Sequence, residues 1–204
     1  MYTSSREKFR SECWAGKFKE CEDIKIMDRK SLFKSFLNFL WLRPENALLL
    51  TLRADALQST FEYVTDQKRT IDISCGDGVF SFLAGGGELS LETDMFRSID
   101  VSKTFREGDH DHYDKYDEDY FVEVEKKPNF EYEYGTDWKS NLLSKAEHLN
   151  FYSNLIEHDN NNPLPFGNEE MEYVYSNSAY WVEGFKKHLR DLVRITQKGG
   201  HIVL

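Results

Sequence analysis

Residues 70–78 read Thr70-Ile71-Asp72-Ile73-Ser74-Cys75-Gly76-Asp77-Gly78. The run begins as a short buried strand and breaks at Gly76-Asp77-Gly78, where two glycines let the backbone turn sharply and approach a ligand closely. Val79-Phe80-Ser81-Phe82-Leu83-Ala84 follows as a short apolar helix and stops at Gly85-Gly86-Gly87. Strand, glycine turn and helix in that order form the entry to a parallel sheet. Ligands of such sheets sit beyond the carboxyl ends of the strands, near the point where strand order reverses. Two glycines alone are a weak signal. The third glycine of a dinucleotide fingerprint is missing, because Val79-Phe80-Ser81 follows, so a ligand without a pyrophosphate suits this turn better.

Downstream, the same alternation continues. FEYEYGTD (130–137) alternates aromatic and acidic residues as a strand does and ends in a turn. Lys139 to Leu149 reads as a helix with Leu142, Leu143, Ala146 and Leu149 on one face. A strand over Ser153–Glu157 ends at Asp159, and MEYVYSNS (171–178) is another. The helix near 183–195 shows Phe185, Leu189, Leu192 and Val193 at helical spacing, Lys198-Gly199-Gly200 reads as a turn, and His201 begins one more strand. Strands and helices alternating at this length define an α/β domain with a mostly parallel sheet. Upstream, Ser31 is expected to cap a helix running to about Leu42, and Pro44 to open a second helix, PENALLLTLRADALQSTF. Both are apolar enough to pack on the main domain; a substrate-covering lid is the alternative. The organisation expected is a helical cap over 1–66 and a core over 67–204 with an acidic insertion at about 88–128.

The chain has 204 residues, 40% of them hydrophobic, and a net charge of −10. It is long enough for one core, and its charge opposes nucleic-acid or anionic-membrane binding. No apolar run approaches the ~20 residues of a membrane span. The first fourteen residues lack the apolar segment of a secretory signal, and Cys13, Cys21 and Cys75 make no paired or metal-binding pattern. A cytoplasmic protein without a metal site is the expectation. From Glu107 to Glu125 there are nine carboxylates and one lysine, interleaved with tyrosines, which reads as a solvated surface insertion. The run Asp109-His110-Asp111-His112-Tyr113-Asp114 within it matches neither a zinc nor a calcium spacing.

Taken in order, these motifs resemble the class I S-adenosylmethionine-dependent methyltransferases. IDISCGDG is similar to the first motif of that family, YGTDWKSNLLSKA to the second-strand motif with its ribose-binding acid, and LIEHDNNNPLPF to the third-strand segment. MEYVYSNSAYWV resembles the fourth strand, and LRDLVRITQKGGHIVL the helix, turn and strand that follow. The resemblance covers about 70–204 apart from the insertion. It implies a Rossmann-like, doubly wound, mostly parallel sheet of methyltransferase type, with S-adenosyl-L-methionine as the cofactor and a small molecule as acceptor. The catalytically inactive alternative is a methyltransferase-like binding or assembly module that docks through the two N-terminal helices; a nicotinamide-dependent dehydrogenase is a third reading.

The resemblance also assigns roles. Backbone at Gly76 and Gly78 would pass the amino acid portion of the ligand, and Asp72 would orient its ammonium directly or through water. Asp137, with Trp138 beside it, would accept from the ribose hydroxyls. Asp159 and Asn160 would meet the adenine, and Ser176, Asn177 and Ser178 would face the methyl donor. Tyr180, His158 and His110 are candidates for a general base, none with a motif behind it. Two departures stand out. Ser74 occupies the position of the family's first glycine, which suits a serine only if the backbone there is ordinary. Asp94, 16 residues after Gly78, rivals Asp137, which lies 59 residues after it. Finally, the family's sheet runs in the order 3-2-1-4-5-7-6, and this chain stops at Ile202-Val203-Leu204, in the fifth strand. The expectation is a fragment, or an apolar edge covered by another segment or subunit, with self-association through that edge.

Overall fold

The computed structural model describes residues 27–40, 44–64, 68–94, 97, 119–177 and 179–204. His110 and the rest of the acidic run 109–114 lie outside these residues, as does Ser178. Helix α1 (Arg29–Phe39) and helix α2 (Pro44–Gln58) come first, followed by a 3-10 turn at Phe61–Tyr63. Asp28, not Ser31, caps α1: its carboxylate accepts from the backbone N–H of Lys30 and Ser31 at 2.9 and 3.2 Å. The Ser31 hydroxyl donates to the same carboxylate at 2.7 Å, so the serine sits inside the first turn. A charged acceptor one turn earlier wins because it satisfies two helix-end donors at once.

The sheet is built from β1 (Thr70–Ile73), β4 (Tyr132–Asp137), β5 (Tyr152–Glu157), β6 (Met171–Ser176) and β7 (Thr196–Val203). Its order is β5-β4-β1-β6-β7, and each pairing is parallel. The chain therefore runs outward from β1 in one direction and returns on its other side, which puts the reversal between β1 and β6. Three helices connect the strands: α3 (Val79–Ala84), α4 (Ser140–His148) and α5 (Phe185–Ile195). This is the doubly wound, Rossmann-like arrangement expected from the sequence, with five strands among the described residues.

Period-two alternation sorts the side chains. Tyr132, Tyr173 and Tyr175 point to one face and pack with Leu32 and Phe36 of α1, Ala54 and Leu57 of α2, and Phe82 of α3. Ile71, Ile73 and Val174 point to the other, against Leu192 and Ile195 of α5. The N-terminal helices thus share one core with the sheet, while Leu48, Leu49 and Leu52 of α2 stay about half exposed.

The acidic insertion is closed at its base. Strand β2 (Glu88–Leu89) pairs antiparallel with β3 (Val124–Lys126), and Lys126 meets Glu88 at 3.2 Å. The turn expected at Lys198-Gly199-Gly200 is instead a bulge inside β7. Thr196 pairs with Met171 and His201 with Tyr173, so five steps along β7 answer two along β6. Gly199 absorbs the excess at φ +81°. Strand β7 pairs only with β6 among the described residues, and Leu204 is 67% exposed.

The side chains of Tyr152 and Leu155 pack against Gly135 of β4. A Cβ on Gly135 would lie 2.8 Å from both Tyr152 Cδ1 and Leu155 Cδ2. Gly135→Ala is expected to destabilise the protein by about 1–3 kcal/mol, the usual cost of overfilling a packed site, in urea unfolding monitored by circular dichroism. An unchanged midpoint would mean that Tyr152 is not held as described.

Candidate functional site

The glycine turn closes over the end of β1 in left-handed conformations. Ser74, Gly76 and Gly78 have φ of +61°, +60° and +75°. The ordinary backbone that a serine would need at position 74 is therefore absent, and the side chain costs about 1–2 kcal/mol there. Asn160 Nδ2 donates to Ser74 Oγ at 2.7 Å and holds it in place. Cys75 N–H donates to the Thr136 carbonyl at 2.9 Å, extending the β1–β4 ladder past the strand end.

Asp137, the last residue of β4, is next to this turn. One carboxylate oxygen accepts from Gly76 N–H at 3.0 Å and the other from Lys139 N–H at 3.0 Å. A carboxylate has about four acceptor directions, so each oxygen keeps one for a further donor. A Cβ built on Gly76 meets nothing within 4 Å, which leaves open space directly over the turn. Trp138 follows with its indole 64% exposed. Gly78 differs: a Cβ there would lie 2.8 Å from Tyr152 Cε2 and 3.1 Å from Leu149 Cδ1. Its missing side chain makes room for helix–sheet packing.

Asp72 is enclosed beneath the turn. Ser81 Oγ and Tyr152 OH both donate to its Oδ2, at 2.5 and 2.9 Å. Burial pushes its carboxyl up to about 7, only partly offset by those two hydrogen bonds. Asp72 therefore supports the turn from below. Burial likewise pushes Asp77 up to about 6, with the Val79 N–H and the Lys145 ammonium pulling the other way.

The loop after β5 completes the rim. His158 N–H donates to the Asp137 carbonyl at 2.8 Å, Asp159 is exposed, and Asn160 leans onto Ser74. Asn160 Oδ1, His158 Nε2, Ser176 Oγ and Asn177 Oδ1 are enclosed with no hydrogen-bond partner among the described residues. Unpaired buried polar atoms carry a desolvation cost, and all four of these are at the carboxyl ends of β5 and β6. The strand order thus brings Asp72, Ser74, Gly76, Asp137, Trp138, Asp159, Asn160 and Ser176 to one edge of the sheet. Asp94 is on the loop after β2, with its N–H donating to Tyr120 OH at 2.8 Å. An open cavity of about 780 Å³ between β3 and the end of α4 is away from this edge.

Sequence reading missed Tyr152 and Ser81, which hold Asp72, and Arg53 of α2, whose Nη2 donates to the Asn177 carbonyl at 2.9 Å. Gly78 and Gly135 carried the faint trace of Tyr152, because both empty the slot its ring fills. Among the described residues no three His, Cys, Asp or Glu side chains group as a metal site. No helix among them is long and apolar enough to cross a membrane.

No family model matches the sequence, and no curated protein matches it significantly. Among solved structures it is similar to an S-adenosylmethionine-dependent methyltransferase from Mesorhizobium loti (16% identity, TM-score 0.46, 75% of this chain and 53% of that one). It is also similar to one from Archaeoglobus fulgidus (14%, 0.41, 77% and 52%) and to the [4+2]-cyclase SpnF (13%, 0.43, 74% and 44%). The chain spans about half the length of these structures. At these values the likeness is one of overall arrangement, and the reading of the site rests on the residues described above.

The raised carboxyls make stability depend on pH. An unfolded aspartate titrates near 3.9, so between about pH 4 and 7 the folded state binds more protons through Asp72 and Asp77 than the unfolded state does. These two groups make the fold less stable as pH rises through that window. Lowering pH from 8 to 5 should raise stability by about 4 kcal/mol through them, and Asp72→Asn should flatten most of this slope. Thermal melts across pH 5–8 check it; the same slope in wild type and variant would contradict the burial of a protonatable Asp72.

Proposed function

We propose that this chain forms the donor-binding core of an S-adenosylmethionine-dependent methyltransferase acting on a small molecule. The observation that carries the reading is the pairing of Asp137 with Gly76 across the ends of β4 and β1, beneath open space. The two unused acceptor directions of Asp137 match the two vicinal hydroxyls of a ribose, and the exposed Trp138 offers a flat apolar face beside it. Asn160 and Asp159 would meet the adenine, Gly76 would leave room for the amino acid portion, and Ser176 would border the reacting end. The cofactor supplies a methyl group already activated on a sulfonium. What remains for the protein is to place an acceptor in line and to exclude water. No general base is assigned: Tyr180 is 62% exposed, and the His158 Nε2 is enclosed without a partner.

A net charge of −10 supports a small-molecule acceptor over a nucleic acid, and the open edge of β7 is the surface for self-association in this reading. The second reading, an inactive binding module, draws on the half-exposed Leu48, Leu49 and Leu52 of α2. Transfer of labelled methyl from the cofactor to any acceptor decides against it.

Calorimetry with S-adenosylhomocysteine tests the donor site. One molecule per chain is expected to bind, and Asp137→Ala should weaken binding about 10–100-fold, the loss of one or two hydrogen bonds to a charged acceptor. Gly76→Asn, a residue that tolerates the left-handed backbone at φ +60° and puts a side chain into the open space, should weaken it comparably while the chain stays folded. A folded wild-type protein that binds none would overturn the reading.

A further inference from the structure

Three of the described arginines end against a carboxylate: Arg29 on Asp55, Arg69 on Glu170, Arg194 on Asp191. Arg53 does not. It is half-buried on α2, in a chain of net charge −10, and its one hydrogen bond among the described residues is to the Asn177 carbonyl. A guanidinium has five N–H donors in a fixed fork, and a single carbonyl leaves most of them unused. That carbonyl is the first beyond β6, so the charge is held at the reversal point between β1 and β6, across from the glycine turn.

The surroundings of Arg53 suit a small anion. Tyr175, paired in register with Asp72, is 4% exposed, and its hydroxyl has no partner among the described residues. Burial raises the Tyr175 phenol well above its ordinary value, Asp72 adds to this, and Arg53 and Tyr180 are close enough to act on it too. Ser176 Oγ and Asn177 Oδ1 beside them are enclosed and unpaired. Tyr180 and Trp181, their rings 5.3 Å apart, stand 62% and 77% exposed, and Leu49, one helical turn before Arg53, is 53% exposed. One positive charge, nearby hydroxyl donors and an apolar wall describe a receptor for an amphipathic monoanion. A dianionic phosphate would call for more positive charge than this site holds.

We propose that Arg53, with the hydroxyls of Tyr175 and Tyr180, binds the carboxylate of the methyl acceptor, whose hydrocarbon body rests on Tyr180, Trp181 and Leu49. The acceptor class is then an aryl- or alkyl-substituted monocarboxylic acid with a hydroxyl or amine on the hydrocarbon body, away from the clamped carboxylate. That group takes the methyl as the donor C–S bond breaks to leave S-adenosylhomocysteine, and the nucleophile's proton passes to solvent. Simple acids without such a group probe the carboxylate contact alone. The assignment rests on the donor-site reading above, which places the reacting methyl at the same strand ends.

The test is a ligand-observed NMR titration of benzoate, phenylacetate and 3-phenylpropionate against their primary amides, with and without S-adenosylhomocysteine. At least one acid is expected to bind about tenfold or more tightly than its amide, the discrimination a charge-assisted fork gives. Arg53→Gln keeps a donor for the Asn177 carbonyl but removes the charge, and should erase that preference while the affinity for S-adenosylhomocysteine stays within twofold. Arg53→Lys should keep part of it. Equal binding of acids and amides by the wild type, or a preference that survives Arg53→Gln, overturns the proposal. The two readings fail separately: loss of the acid preference removes the anion site, whereas absence of S-adenosylhomocysteine binding removes the donor site.

Discussion

Asp137 joins three strand ends. Its carboxylate accepts from Gly76 in the turn after β1 and from Lys139 at the start of the next helix, while its own carbonyl accepts from His158 after β5. A parallel sheet leaves its carboxyl ends without hairpins to tie them, so the turns that form a site there must be fixed some other way. Here one aspartate does it. Because charged acceptors make stronger hydrogen bonds than neutral ones, the glycine turn is held in a conformation that costs energy at Ser74, and the open space over Gly76 persists.

Beneath that rim, Asp72 and Tyr152 set the depth of the site. The Tyr152 ring fills a slot emptied by Gly78 and Gly135, and its hydroxyl meets Asp72 from β5, two strands away. A buried carboxylate with no cation beside it is expensive as an anion; two hydroxyl donors lower that cost without abolishing it. The turn is thus supported by a group that titrates near neutrality rather than by an ion pair. Ser81, the other donor, sits on α3, so the helix that follows the turn is pinned to the strand that precedes it.

The sheet was legible in the sequence because its signals are local. Each strand announced itself through alternation or an apolar run ended by a turn residue, and the separate helices through spacing along one face. Of Asp137 and Asp94, only Asp137 is followed by a patterned helix, and the strand order puts it beside the turn. The rest depended on contacts between distant residues. Arg53 and Asn177 are 124 positions apart, and Tyr152 and Asp72 are 80 apart; nothing in either neighbourhood points to the other. Local rivalry misled the reading in two places. Asp28 outcompetes Ser31 for the helix end, and the pairing of β7 with β6 absorbs Gly199 and Gly200 into a bulge. Gly78 fits the motif pattern and also serves packing, which only the position of the Tyr152 ring makes visible.

An experimental structure of the protein with S-adenosylhomocysteine bound tests the account most directly. The account predicts both ribose hydroxyls within hydrogen-bond distance of the Asp137 carboxylate, with Gly76 N–H still donating to it and the amino acid portion over Gly76. A ligand seated against Asp94, or one that leaves Asp137 bonded only to Gly76 and Lys139, would contradict it.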